Sequence, residues 1–491
     1  MDDVTGSTAN LAFAVLADNH TSLMHGWVPW VIQAFSAAIL LAAVGWRSRP
    51  WRLVWLPVAV ALGAALAGWS HWFIADRGLA DDPAPHLLWC WIAVSGAAIA
   101  ILVLGWRSAR WWRRSASLLA VPLCLLSAGL TLNLWVGYFP TVQTAWDQLT
   151  AGPLPDQTDA ASVSAMAGAG IQPIHGSVVP VTIPDAASHF RHRGEVVYLP
   201  PAWFSSTPPP QLPTVMMIGG EFNTPADWLR AGNAVKTIDA LAAAHGGNAP
   251  VFVFVDSGGA FNNDTECVNG NRGDAADHLT KDVVPYMTSK FGVSPEPAQW
   301  GVVGWSMGGT CALDLTVMHP ELFRTFVDIA GNLGPNVGTK AQTIARLFGG
   351  NADAWAAFDP RTVITKHGPY QGVSGWFDIS SSNPPKRHRG LTVTHAGEVE
   401  LSGQDIVANP NDQTIAAESL CELGRANGIN CAIVGQPGKH DWPFASNAFA
   451  TALPWLAGRL GTPGVPQIAL PSNTPAGPPA APAPYAESVG R

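Results

Sequence analysis

The residues best equipped for chemistry lie in Gly304-Trp305-Ser306-Met307-Gly308-Gly309, a G-x-S-x-G motif. It follows an apolar run, Trp300–Val303, and precedes a run that fits a helix, Thr310–His319. The motif needs that context, because a tight strand-to-helix turn lifts the serine hydroxyl into the open. Gly304 and Gly308 leave room for the backbone, and the helix N-terminus brings a positive dipole to where an oxyanion would form. A bare match carries little weight in a chain with 49 glycines. The flanking strand and helix make Ser306 the expected nucleophile.

A serine hydroxyl is a weak nucleophile without an adjacent base. Around such an elbow the partners follow in the order Ser, acid, His. His440 comes after the last predicted strand, Cys431–Val434, and the turn Gln436-Pro437-Gly438, which singles it out among 14 histidines. His388 and His395, in an apparent insertion, are the alternatives. Two acids stay open. Asp378 sits near the end of an apolar strand, where a carboxylate is costly unless paired. Asp405 precedes the predicted helix Thr414–Asn427 by a normal loop and His440 by 35 residues. Glu398 and Glu400 lie nearby. An oxyanion needs two backbone N–H donors: Met307, after the nucleophile, and Glu221 in Ile218-Gly219-Gly220-Glu221-Phe222, with Phe222 next.

These groups need a scaffold. Apolar runs predict strands at Gly176–Ile183, Glu195–Leu199, Thr214–Ile218, Val251–Val255, Trp300–Val303, Thr325–Ile329, Val373–Ile379 and Cys431–Val434. Helical patterns cover Ala226–His245, Ala275–Lys290, Met307–His319, Thr339–Phe348, Thr414–Asn427 and Asn447–Leu460. Such alternation predicts a mostly parallel sheet with helices on both faces. Val251-Phe-Val-Phe-Val255 lacks polar alternation, as a strand buried on both sides should.

The rest of the chain is different. Only 13% of its 491 residues are charged, about half the usual share. Residues 1–146 hold eight arginines, no lysine and six acids, leaving 19 basic and 29 acidic residues to the remainder. Four uncharged apolar stretches, Val28–Trp46, Leu53–Ile74, Leu87–Trp106 and Leu118–Phe139, are long enough to cross a bilayer, which takes about 20 residues of helix, and tryptophans stand at many of their ends. Arg47, Arg49 and Arg52 mark the first loop and Arg107, Arg110, Arg113 and Arg114 the third. The positive-inside rule puts these loops in the cytoplasm and everything after about Pro140 outside. No cleaved signal peptide is read in residues 1–27; the first span serves as an uncleaved insertion signal. His71, near an outer helix end among Trp69, Trp72 and Phe73, reads as an interfacial residue. The expected organisation is a four-helix transmembrane domain (1–146), a linker (147–175), an α/β domain (176–460) and a Pro/Ala-rich disordered tail (461–491).

Asp256-Ser-Gly-Gly259, Asp264-Thr-Glu-Cys267, Asp282-Val-Val-Pro285, Gly301-Val-Val-Gly-Trp-Ser-Met-Gly-Gly309, His319-Pro-Glu-Leu-Phe323 and Pro437-Gly-Lys-His-Asp-Trp442 resemble an esterase family that includes the mycolyltransferases of mycobacteria and esterase D-type enzymes. The helical anchor with an exported hydrolase resembles an actinobacterial arrangement of it. The resemblance covers about 176–460. It implies an α/β-hydrolase fold, acyl-ester chemistry and no metal, with Ser306 as nucleophile, His440 as base and the Met307 N–H as an oxyanion donor. Two positions depart from the mycolyltransferases: Gly308 stands where their elbow commonly has alanine, and Ser380-Ser-Ser-Asn383 lacks their glutamate.

Four cysteines, Cys267, Cys311, Cys421 and Cys431, fall in the part placed outside, where disulfides persist. Of three pairings, Cys421–Cys431 and Cys267–Cys311 are favoured. No C-x-x-C, H-E-x-x-H or Walker A motif occurs, and no cofactor is expected. The net charge of −8 argues against nucleic acid as a partner. The reading is a membrane-anchored extracytoplasmic serine esterase or acyltransferase acting on lipidic or cell-envelope esters. Acyl transfer to a sugar hydroxyl, and a non-catalytic binding or scaffold protein on a degenerate hydrolase fold, are the alternatives.

Overall fold

A computed structural model of the chain describes residues 21–24, 26–45, 48–79, 84–150, 153–380 and 413–471. Its N-terminal part is a set of antiparallel apolar helices: α1 (Val28–Val44), α2 (Leu56–Arg77, entered through a π-helical turn at Trp51–Trp55), α3 (His86–Gly105) and α4 (Trp111–Val136). The last three are long and apolar enough to cross a membrane. α1 has 17 residues, so it reaches roughly 26 Å, just under a bilayer core of about 30 Å. α2 and α3 cross where Gly63 and Gly96 face each other, and a Cβ on Gly63 would collide with the Ala93 carbonyl. Small residues of this kind let membrane helices approach closely. α1 and α4 are joined by buried hydroxyls and an amide: Ser127 Oγ donates to Ser36 Oγ at 2.9 Å and Gln33 Nε2 to Thr131 Oγ1 at 3.2 Å. Large apolar side chains such as Phe35, Leu41, Val60 and Val103 face outward.

The rest is built on eight strands: β1 (Ser177–Val181), β2 (Glu195–Leu199), β3 (Thr214–Ile218), β4 (Val251–Val255), β5 (Trp300–Trp305), β6 (Thr325–Ile329), β7 (Ser374–Ser380) and β8 (Asn430–Gln436). Their spatial order is β1-β2-β4-β3-β5-β6-β7-β8. β2 is antiparallel to both neighbours, and every pairing from β4 onward is parallel. This is the α/β-hydrolase sheet. The period of two sorts side chains between its faces: Val251, Val253 and Val255 enter one core and Phe252 and Phe254 the other. The first core is closed by α7 (Val284–Phe291), α8 (Met307–Met318) and α9 (Gln413–Ala426). The second is closed by α5 (Pro225–Arg230), α6 (Ala234–Ala244) and α10 (Trp442–Arg459).

Three expectations need correction. Ala226–His245 is two helices, because the chain turns at Gly232 and Asn233, the latter at φ 50°. The last helix starts at Trp442, five residues before Asn447, capped by Asp441 with proline in its first turn. Part of the expected linker is structured: helix Ala160–Gly168 buries Val163 in the first core, and Gln157 bridges to Val178. Only 461–471 of the expected tail is described, and Val465 and Leu470 pack on the second core. Both favoured disulfides are present, Cys267–Cys311 and Cys421–Cys431.

Candidate active site

The elbow forms where β5 ends against the start of α8. Ser306 sits at φ 58°, ψ −123°, a left-handed conformation rare for a residue with a side chain. Its N–H donates to the Ile329 carbonyl at 2.9 Å, and its own carbonyl accepts from Gly309 N at 2.8 Å. The motif glycines are sterically required. A Cβ on Gly304 would enter the Gly308 carbonyl, and one on Gly308 would lie 2.5 Å from the carbonyl oxygens of Ile218 and Gly219. Met307 is the first residue of α8, where backbone N–H groups have no intrahelical acceptor.

The histidine arrives from β8. Asp441 caps α10 by accepting from Phe444 N at 3.1 Å, which fixes the backbone beside His440. The half-buried imidazole has Nε2 2.9 Å from Ser306 Oγ and packs 5.4 Å, centroid to centroid, from the Trp305 ring. Its Nδ1 lies 2.9 Å from the side-chain amide of Gln413 at the start of α9. The two ends of that amide exchange by a half-turn, so Gln413 can present its oxygen to Nδ1–H.

Asp378 is not at the imidazole. It is fully buried in β7, where its Oδ2 accepts from Gln436 Nε2 at 2.6 Å and Trp376 Nε1 at 3.2 Å. Its Oδ1 is buried without a hydrogen-bond partner. Burial pushes the carboxyl up to about 7, against the two donors that favour its charged form. The carboxylate cost in an apolar strand is thus met partly by neighbours in the sheet and partly by holding the proton. Asp405, with Glu398, Glu400, His388 and His395, lies outside the described residues.

The loop expected to hold the second oxyanion donor lies against the elbow: a Cβ on Gly220 would sit 3.2 Å from Ser306 Cβ. The backbone of the next residue, Glu221, follows directly. Gly220 N donates to Asn223 Oδ1 at 2.9 Å, and Trp228 Nε1 donates to the Ile218 carbonyl at 3.0 Å. Arg193 reaches across from β2's entry, donating to the Asn223 carbonyl at 2.7 Å and to both oxygens of buried Asp256 at 2.6 and 3.0 Å. Burial raises the Asp256 carboxyl, but Arg193 outweighs it and holds the group below the usual carboxylate range. Sequence reasoning missed Gln413, Asn223 and Arg193. Asp256 opens one of the motifs quoted above, which was its only signal.

Among the described residues, His192, Glu195 and His278 have donor atoms within 4.8 Å of one another and could hold a metal by type and distance. His278 faces Glu195 Oε1 at 2.8 Å and Asp282 Oδ2 at 3.4 Å through its two ring nitrogens. An imidazolium there would balance the same carboxylates.

Residues 189–456, more than half of the chain, match the model of the family described as "Putative esterase". An uncharacterized protein of Corynebacterium glutamicum is 29% identical over 441 residues, covering 87% of this chain and 93% of its own. That coverage takes in much of the N-terminal helical part as well as the hydrolase. Among solved structures, a ferulic acid esterase is 17% identical (TM-score 0.42), covering 58% of this chain and 99% of its own. An S-formylglutathione hydrolase from Agrobacterium tumefaciens is 15% identical (TM-score 0.44), covering 59% and 97%. With the family match spanning β2 to β8, the elbow and the histidine loop, the chain belongs to this esterase family.

Proposed function

We propose that the protein is a membrane-anchored serine esterase or acyltransferase in which Ser306 is the nucleophile and His440 the general base. The carrying observation is the 2.9 Å approach of His440 Nε2 to Ser306 Oγ at a residue held in a left-handed turn. Ser306 Oγ attacks the ester carbonyl as its proton passes to Nε2. The N–H groups of Met307 and Glu221 receive the oxyanion. Nε2 then returns the proton to the departing alkoxide, leaving an acyl-serine that water or an acceptor hydroxyl resolves. The group orienting His440 is drawn from Asp405, Glu398 and Glu400, in the stretch that runs into Gln413. The apolar helices and the arginine-rich loops support an extracytoplasmic catalytic part at the membrane, and so lipidic or cell-envelope esters as substrates.

Turnover of a p-nitrophenyl ester by the full chain in detergent tests this. Ser306→Ala and His440→Ala abolish it, and one of Asp405→Asn, Glu398→Gln and Glu400→Gln lowers it by orders of magnitude. Unchanged turnover in Ser306→Ala would end the proposal.

A further inference from the structure

The end of the last apolar helix touches the hydrolase at two places that matter for catalysis. α4 stops at Gly137, at φ 65°. The turn after it is tied by one side chain: Asn133 Nδ2 donates to the Phe139 carbonyl at 2.9 Å, and Asn133 Oδ1 accepts from Phe139 N at 2.6 Å. This rigid turn places the Gly137 backbone against Asp441, so that any side chain at 137 would run into Asp441 Cβ. Asp441 follows His440 and caps α10. The next residue, Tyr138, packs on the second core and donates its hydroxyl to Asp227 Oδ1. Asp227 Oδ2 accepts from Thr224 N at 2.7 Å, closing the capping box that starts α5 immediately after the Gly219–Asn223 loop. One helix end therefore braces two separate loops, one carrying the base and the other the oxyanion donor.

We infer that Gly137 and Tyr138 are positioning residues for the esterase reaction, so that the helical part sets the geometry of the active site as well as tethering it. The inference rests on the proposed roles of Ser306, His440 and Glu221. Catalytic groups lose efficiency steeply when displaced by fractions of an ångström, and the two loops have no covalent link near the site. α2 supplies a contrasting contact, where Arg272 Nη2 donates to the Arg77 carbonyl at 2.6 Å, far along the chain from either loop.

The test is steady-state hydrolysis of p-nitrophenyl butyrate by the full chain in detergent. Tyr138→Phe removes only the hydroxyl contact with a carboxylate and lowers kcat by about tenfold, the loss expected for one such bond, with KM within twofold. Gly137→Val lowers kcat further. Tyr138→Phe combined with Asp227→Asn costs less than the product of the single effects, because the two share one contact. Arg272→Gln stays within twofold of wild type. Wild-type kcat in a folded Tyr138→Phe overturns the inference, as does a rise in KM with kcat unchanged. A wild type that neither turns over ester nor takes up a fluorophosphonate overturns the proposed function itself, which separates the two failures.

Discussion

Replacing Asp378 by Asn distinguishes a triad acid from a buried strand carboxyl. A triad acid replaced by its amide costs about 10⁴ in kcat. Here the carboxylate is bonded to Gln436 and Trp376, so Asp378→Asn keeps kcat within about threefold. Its stability responds instead. The group rises from an ordinary value of 3.8 to about 7 on folding, roughly three units, or on the order of 4 kcal/mol at 1.36 kcal/mol per unit. Because the folded value is the higher one, the folded state binds more protons between about pH 4 and 7. The stabilisation is present at low pH and is lost as pH rises through 7. Asn keeps an acceptor for the two donors but leaves its NH₂ where Oδ1 had no partner, at a cost of about 1–3 kcal/mol. The variant should then be more stable than wild type by about 1–3 kcal/mol at pH 8 and less stable below pH 5. Thermal unfolding of the full chain in detergent from pH 4.5 to 8.5 reads the crossing. Loss of kcat with a pH-independent stability difference would refute the reasoning and restore Asp378 as the acid. Asp328, likewise raised to about 7 by burial and by the neighbouring Asp378 charge, keeps part of the wild-type slope in the variant.

Gly304→Ala forces a methyl into the Gly308 carbonyl; it should lower turnover by about 100-fold and destabilise by ~1–3 kcal/mol, read by kinetics and thermal melting together. Removing Cys421–Cys431, which closes a separation of 10 residues, with paired serines should cost about 2–3 kcal/mol and leave kcat within threefold. The melting point should fall by several degrees. Asp314, buried in α8 with both carboxylate oxygens unpartnered, is raised well above its usual value by burial and the nearby Asp359 and Asp328. Asp314→Asn should therefore gain stability relative to wild type as pH rises above the ordinary carboxylate value of 3.8, read by thermal unfolding across pH.

Much of the fold was legible because each strand announces itself locally. All eight predicted runs became strands, since apolar β-branched and aromatic clusters between turn residues have few other uses. The elbow was legible for the same reason: strand, glycine pair and helix are neighbours in sequence. The cap at Asp441-Trp442-Pro443 was also local and went unused. What was not legible depends on register. Asp378 lies opposite Val434 across β7 and β8, which brings Gln436 to its carboxylate. No spacing in the sequence states that pairing. Gln413 at His440 and Tyr138 at Asp227 are likewise contacts across 27 and 89 positions, made by packing of whole elements.

The proposed chemistry depends on one serine, Ser306, activated by one histidine, His440. Fluorophosphonate treatment of the full chain, followed by peptide mass mapping, tests it most directly. A single adduct is expected on the peptide containing Ser306, formed at least about 100-fold more slowly in His440→Ala. An adduct on another residue, or equal rates with and without His440, would contradict it.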